Sequence, residues 1–323
     1  MEVQKEEVLH MFPDFMRQRW EKVAEAADRL QEIRLRVGQP VTVLMDNKEK
    51  FLSKRGELTD DISYAGYSDE KELEAVIAHI CHYSIYAFAD EIRQGFMTIR
   101  GGHRIGLSGQ VILEDREQIR NIKYIRYLNI RIAHEMKGVS DKALPYLYFQ
   151  GEVQNTLIIS PPGCGKTTML RDLVRNFSTG TAYGKGKNVG LVDERSEIAG
   201  SYLGIPQNDI GIRTDVMDAC PKREGMMMLI RSMAPDILAV DELGSEEDVE
   251  AMHKAVRCGC RMLATIHGFS LEEVARKSYM KTVMEERLFD RYLLLGKKDN
   301  MCIVTGIYDR ERKLCSNLRE SCC

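Results

Sequence analysis

The chain has 323 residues, 44% hydrophobic and 29% charged, with a net charge of −3. That length allows two ordinary domains, and that composition suits a globular protein with real cores. The slight acidity disfavours a dedicated nucleic-acid binder, which carries a basic domain, and no apolar run approaches the roughly 18 residues of a membrane span.

The opening run Met1-Glu2-Val3-Gln4-Lys5-Glu6-Glu7 is too charged for a signal peptide, so a cytoplasmic protein is expected, reaching a membrane only through partners. From Asp14 to Gln31 the apolar spacing predicts a helix with Phe15, Trp20, Val23, Ala27 and Leu30 inward. The period then changes: Ile33, Leu35 and Val37 alternate with Arg34 and Arg36, and Gly38-Gln39-Pro40 turns the chain into a second strand, Val41 to Met45. Lys71 to Phe88 is again helical, through Leu73, Val76, Ile77 and Ile80. Gly95 to Ile99 and His103 to Leu113 form a strand pair around Gly101-Gly102, which places Leu107-Ser108-Gly109-Gln110 on a strand despite its likeness to a transporter signature. This half is a small α+β module, bounded at residues 1–146.

Pro145 to Val153 leads into a different pattern, residues 147–323. Short unbroken apolar strands (Thr156 to Ile159, Val189 to Val192, Ile237 to Val240) alternate with helices from Lys166 and near Met226 to Met233. Such strands belong to a parallel sheet covered on both faces. Tyr292 to Leu295 and Met301 to Tyr308, around Lys297-Lys298-Asp299-Asn300, form an edge hairpin. The nine cysteines are scattered; Cys258 and Cys260 are one residue apart and Cys322 and Cys323 adjacent, so neither pair has zinc-knuckle spacing. They read as reduced thiols.

Ser160-Pro161-Pro162-Gly163-Cys164-Gly165-Lys166-Thr167-Thr168 follows a predicted strand and opens a predicted helix, the setting of a Walker A phosphate loop. Glycines let the loop wrap so that backbone N–H groups and the helix N-terminus face phosphate. Lys166 then reaches the β and γ oxygens, and the Thr167 hydroxyl serves Mg²⁺. Ser160 departs from the pattern, which has glycine there. Asp241 and Glu242 close an apolar strand as a Walker B end, Asp241 holding the water shell of Mg²⁺ and Glu242 polarising the attacking water. No Asn-Lys-x-Asp segment is present, so the expected nucleotide is ATP rather than GTP.

Val192-Asp193-Glu194-Arg195-Ser196-Glu197 lies between these motifs, and Ala264-Thr265-Ile266-His267-Gly268 follows them. This order, with Ile230 to Ile237 leading into Walker B, resembles the type II and type IV secretion ATPases. Glu32 to Gly38, Gly102 to Leu107, Asn129 to Ala133, Gly211 to Val216 and Cys220-Pro221-Lys222 resemble the stage III sporulation protein AA family, from about residue 30 to 310. The resemblance implies a RecA-like ATPase domain after the α+β domain and a hexameric ring in the mother-cell cytoplasm, serving the channel complex at the forespore membrane. It also implies roles for Glu197 in an acidic box, Glu242 in Walker B and His267 in a histidine box. Asp241 replaces a small residue, and the acidic box departs from its common form, so Glu194 stands beside Glu197 as the working carboxylate. His267 reads as a γ-phosphate sensor. Arg104, Arg126 and Arg131 are the arginines expected to reach a neighbour's ATP, and Arg213 the one expected at a subunit interface. Met226-Met227-Met228 reads as helix core or a compliant contact.

Overall fold

A computed structural model describes residues 2–115, 118–298 and 301–316. Asp299, Asn300, Cys322 and Cys323 lie outside the described residues. The chain divides into two compact units, Met1–His134 and Glu135–Cys323. The division falls before residue 146 because Val139, Ala143, Leu144 and Leu147 are buried in the second unit's core. Ser140 also donates its hydroxyl to buried Asp172, at 2.7 Å, within that unit.

The first unit runs α1 (Glu2–His10), α2 (Asp14–Glu25), β1 (Leu30–Arg36), β2 (Thr42–Met45), β3 (Lys48–Leu52), β4 (Leu58–Thr59), α3 (Glu70–Ile80), α4 (Ala89–Gln94), β5 (Phe96–Thr98), β6 (Arg104–Asp115) and β7 (Gln118–Arg131). Its strands form an antiparallel sheet in the order β4-β3-β2-β1-β7-β6-β5. The helix expected to reach Gln31 stops at Glu25, and Leu30 instead opens β1. Met16, Trp20, Val23 and Ala24 fill the buried stripe of α2, so Phe15, one position out of phase, is 75% exposed. The helix expected through Phe88 breaks after Ile80, where His82 and Tyr83 turn left-handed (φ 47° and 59°), and resumes as a 3₁₀ turn at Ile85–Phe88. Sheet pairing, absent from any local pattern, puts β7 between β1 and β6.

The second unit holds two short pairs, β8 (Tyr148–Phe149) with β9 (Glu152–Val153) and β11 (Gly180–Thr181) with β12 (Gly184–Lys185). Its main elements are β10 (Thr156–Ser160), α5 (Lys166–Thr179), β13 (Val189–Asp193), β14 (Thr214–Asp218), α6 (Lys222–Ser232), β15 (Ile237–Val240) and α7 (Glu246–Arg257), followed by β16 (Arg261–His267), α8 (Leu271–Arg276), α9 (Lys281–Glu285), β17 (Arg291–Lys298), β18 (Met301–Asp309) and β19 (Leu314–Ser316). The sheet order is β14-β13-β15-β16-β10-β17-β18-β19, parallel from β14 to β17 and antiparallel beyond. Alternate strand residues enter two cores: Ile158, Leu191 and Ala239 with α5 residues Leu170 and Phe177, and Leu157, Ile159 and Val240 with α6 and α7 residues Leu229 and Met252. Burial on both faces is why these strands carry unbroken apolar runs. Met226 is fully buried, whereas Met228 is 51% exposed.

Candidate nucleotide site

Register places the site. Ser160 pairs with His267 and Val240 with Ala264, so the carboxyl ends of β10, β15 and β16 lie side by side. Parallel sheets open their ligand crevices at that edge. Ser160 is fully buried; its carbonyl accepts the Gly268 N–H at 3.2 Å, which seats the start of the loop. Pro162 and Gly163 are exposed and Pro161 half-buried. Gly165 is left-handed (φ 73°), and a Cβ there would lie 3.1 Å from the Cys302 sulfur, so this position demands glycine.

Lys166 opens α5 and is 8% exposed. Its Nζ lies 3.4 Å from Glu242 Oε2, 3.7 Å from Asp241 Oδ1 and 3.4 Å from His267 Nε2. His267 Nδ1 is 3.3 Å from the Ser160 carbonyl oxygen, to which it donates, and Nε2 stands beside the Lys166 ammonium and 3.5 Å from Glu242 Oε1. The Thr265 hydroxyl donates to Asp241 Oδ1 at 2.7 Å and accepts the Glu242 N–H at 2.8 Å. Glu242 itself is left-handed (φ 41°), a strained setting for a glutamate, held at the end of the strand. Burial alone would raise the Glu242 pKa, but Lys166, His267 and Arg195 outweigh it and hold the carboxyl below its ordinary range. The half-buried Thr167 and Thr168 follow on the first turn of α5.

The acidic box resolves into separate jobs. Asp193 is 1% exposed and accepts the N–H groups of Glu197, Ile198 and Ala199 at 2.9, 3.0 and 2.8 Å. Glu194 pairs with Lys222. Ser196, left-handed at φ 51°, donates its hydroxyl to Asp218 at 2.7 Å. Glu197 is fixed by its backbone, its carbonyl accepting from Arg171 of α5 at 2.6 Å. Arg195 reaches the carboxyl end of β15, 3.8 Å from Glu242 Oε2. Sequence reasoning passed over Arg195; the lone cation inside an acidic run was its signal.

Burial, opposed by its three N–H bonds and reinforced by Asp218, pushes the Asp193 carboxyl up to about 6. An unfolded aspartate titrates near 4, so the folded chain binds more proton between those values. Stability is therefore fullest below about pH 4 and falls as pH rises through 6, by roughly 3 kcal/mol for this one group. Thermal unfolding across that range should show the slope in the parent and lose it in Asp193→Asn; an equal slope in both would assign it elsewhere.

Of the remaining candidates, Arg213 donates to the Ser178 carbonyl at 3.0 Å and so caps the C-terminus of α5. In the first unit, Arg126 pairs with Glu70 and Glu74. Arg104 lies over the Phe96 ring at 3.7 Å, and exposed Arg131 stands opposite both Glu32 and Arg104 across the ladders. Beside the Ser160–Thr168 loop, a small open apolar cleft of about 80 Å³ is lined by Met136, Cys164, Thr168, Met169, Leu295 and Cys302, among others.

The family model described as "Sporulation stage III, protein AA" matches residues 2–314. Stage III sporulation protein AA of Bacillus subtilis (strain 168) is 40% identical over 311 residues, covering 96% of this chain and 97% of that one. The solved ATPase DotB of Yersinia pseudotuberculosis shares the fold with a TM-score of 0.57 at 11% identity, over 92% of this chain and 77% of that one. The pilus retraction motor PilT, solved with bound ADP, gives 0.54 at 15% identity, over 85% and 77% of the two chains. The chain thus shares the α/β, RecA-like fold of these two proteins, as the motif order leads one to expect.

Proposed function

The chain belongs to the stage III sporulation protein AA family, and from that premise we propose that it hydrolyses ATP as a ring motor of the secretion-ATPase type. Its work would be to energise the channel between mother cell and forespore. One observation carries this reading: Lys166, Asp241, Glu242 and His267 converge within 3.4–3.7 Å at the carboxyl edge of a parallel sheet. The loop N–H groups and Lys166 would hold the phosphates, and the apolar cleft beside α5 would take the adenine. Water attacks the γ-phosphorus, Glu242 takes its proton, and the bond to the ADP oxygen breaks.

Mg²⁺ fits the donors on hand. The Thr167 hydroxyl and the Asp241 carboxylate, acting through water, are hard oxygen donors. Among the described residues no group of three or more His, Cys, Asp or Glu forms a metal cage, as suits an ion held chiefly by phosphate and water. When bound, it neutralises phosphate charge.

Lys166→Ala should weaken ATP and ADP binding roughly 10- to 100-fold, the worth of a lost charge-assisted contact. Calorimetric titration checks this; unchanged affinity and turnover would remove the phosphate-loop assignment. A second reading has one observation in its favour. The Glu242 carboxylate is occupied by Lys166, Arg195 and His267, which suits a scaffold that binds ATP to assemble without turning it over.

Assembly as a homo-oligomer, with a hexamer as the family resemblance implies, belongs to the same proposal, as does recruitment by membrane channel proteins from the mother-cell cytoplasm. No helix of the described residues is long and apolar enough to cross a membrane. Nucleic acid is not required by this scheme.

A further inference from the structure

We propose that Arg195 reads the terminal phosphate of the nucleotide in its own subunit, leaving Glu242 for that phosphate when ATP binds. The inference rests on the nucleotide reading of the site and assigns a residue that neither motif contains. The residues flanking Arg195 have partners of their own. Asp193 gathers three N–H groups, Glu194 is tied to Lys222, and Ser196 is anchored on Asp218. The Arg195 side chain, 66% exposed, reaches from this loop to Glu242.

Its partner is shared. Glu242 Oε2 lies 3.8 Å from Arg195 and 3.4 Å from Lys166, so both cations attend one carboxylate oxygen. A phosphate seated on Lys166 therefore lies within reach of an arginine side chain. Lys166 and Arg195 are balanced by Asp241 and Glu242. A γ-phosphate adds about two negative charges to that balanced set and competes for both cations. Glu242 then gives up its partners, and its carboxylate becomes available to water. ADP lacks the group that drives this exchange, so Arg195 stays on Glu242. Arg213 cannot take the role, because it is spent on the C-terminus of α5.

The test measures binding of labelled ADP and of a non-hydrolysable ATP analogue to the full chain, as parent, Arg195→Gln and Arg195→Lys. Arg195→Gln should lose roughly tenfold or more in affinity for the ATP analogue, with ADP affinity unchanged. Arg195→Lys should recover part of the loss. A parent-like ratio of the two affinities in Arg195→Gln overturns the inference while leaving the site assignment intact. A parent that binds neither nucleotide overturns both. A glutamine variant weakened equally for both nucleotides keeps the parent ratio and overturns the inference in the same way.

Discussion

Glu242→Gln leaves ATP bound and cuts turnover roughly 10²–10⁴-fold, the worth of a positioned general base. The amide keeps the size of the side chain, and the Glu242 N–H keeps its bond to the Thr265 hydroxyl. What goes is the charge that draws the proton from water. The same charge holds Lys166 and Arg195, at 3.4 and 3.8 Å, so its removal frees both cations for phosphate. Affinity for ATP should therefore hold or rise as turnover falls. Nucleotide retained after gel filtration, identified by chromatography, checks both halves. Hydrolysis at the parent rate would make Glu242 structural and send the search for the base to Glu197.

Loss of an arginine supplied by a neighbouring copy should cost still more, roughly 10³–10⁵ in turnover, as in other phosphoryl-transfer systems. Arg126 is held by two glutamates and Arg104 lies over the Phe96 ring, so exposed Arg131 comes first and all three are tested. Replacing one of them by alanine should spare ATP binding and abolish hydrolysis. Mixing that variant with Glu242→Gln should restore partial activity, because some subunit contacts then combine an intact arginine with an intact Glu242. If no arginine variant loses activity, or mixing under subunit exchange never rescues it, the charge must be met within the subunit, and Arg195 is the residue placed to do so.

The strand, loop and helix around Lys166, the strand that ends at Asp241 and the parallel sheet were legible because each rests on local spacing. A strand, a glycine loop and a helix are consecutive in Ile158 to Leu170, and an apolar strand runs straight into Asp241. His267 was legible as a strand end, but its tautomer was not, because that depends on a carbonyl at Ser160, far away in sequence. The separate contacts within the acidic box were hidden for the same reason. Five polar or charged residues in a row look alike as letters, yet Asp193 is buried under backbone N–H groups and Arg195 faces Glu242. Tertiary context separates them. In the first unit, β7 and the break of α3 at Cys81 follow from sheet pairing and from left-handed residues that no periodicity encodes. Phe15 was misplaced by a single step of helical phase, and Met16 took its place in the core.

Release of inorganic phosphate from ATP and Mg²⁺ by the purified chain, followed beside Glu242→Gln, tests the central claim most directly. The account predicts many turnovers per parent chain, and ATP held without phosphate release by the variant. A parent that binds ATP and keeps it uncleaved, alone and with membrane partners added, would contradict the motor and leave the scaffold.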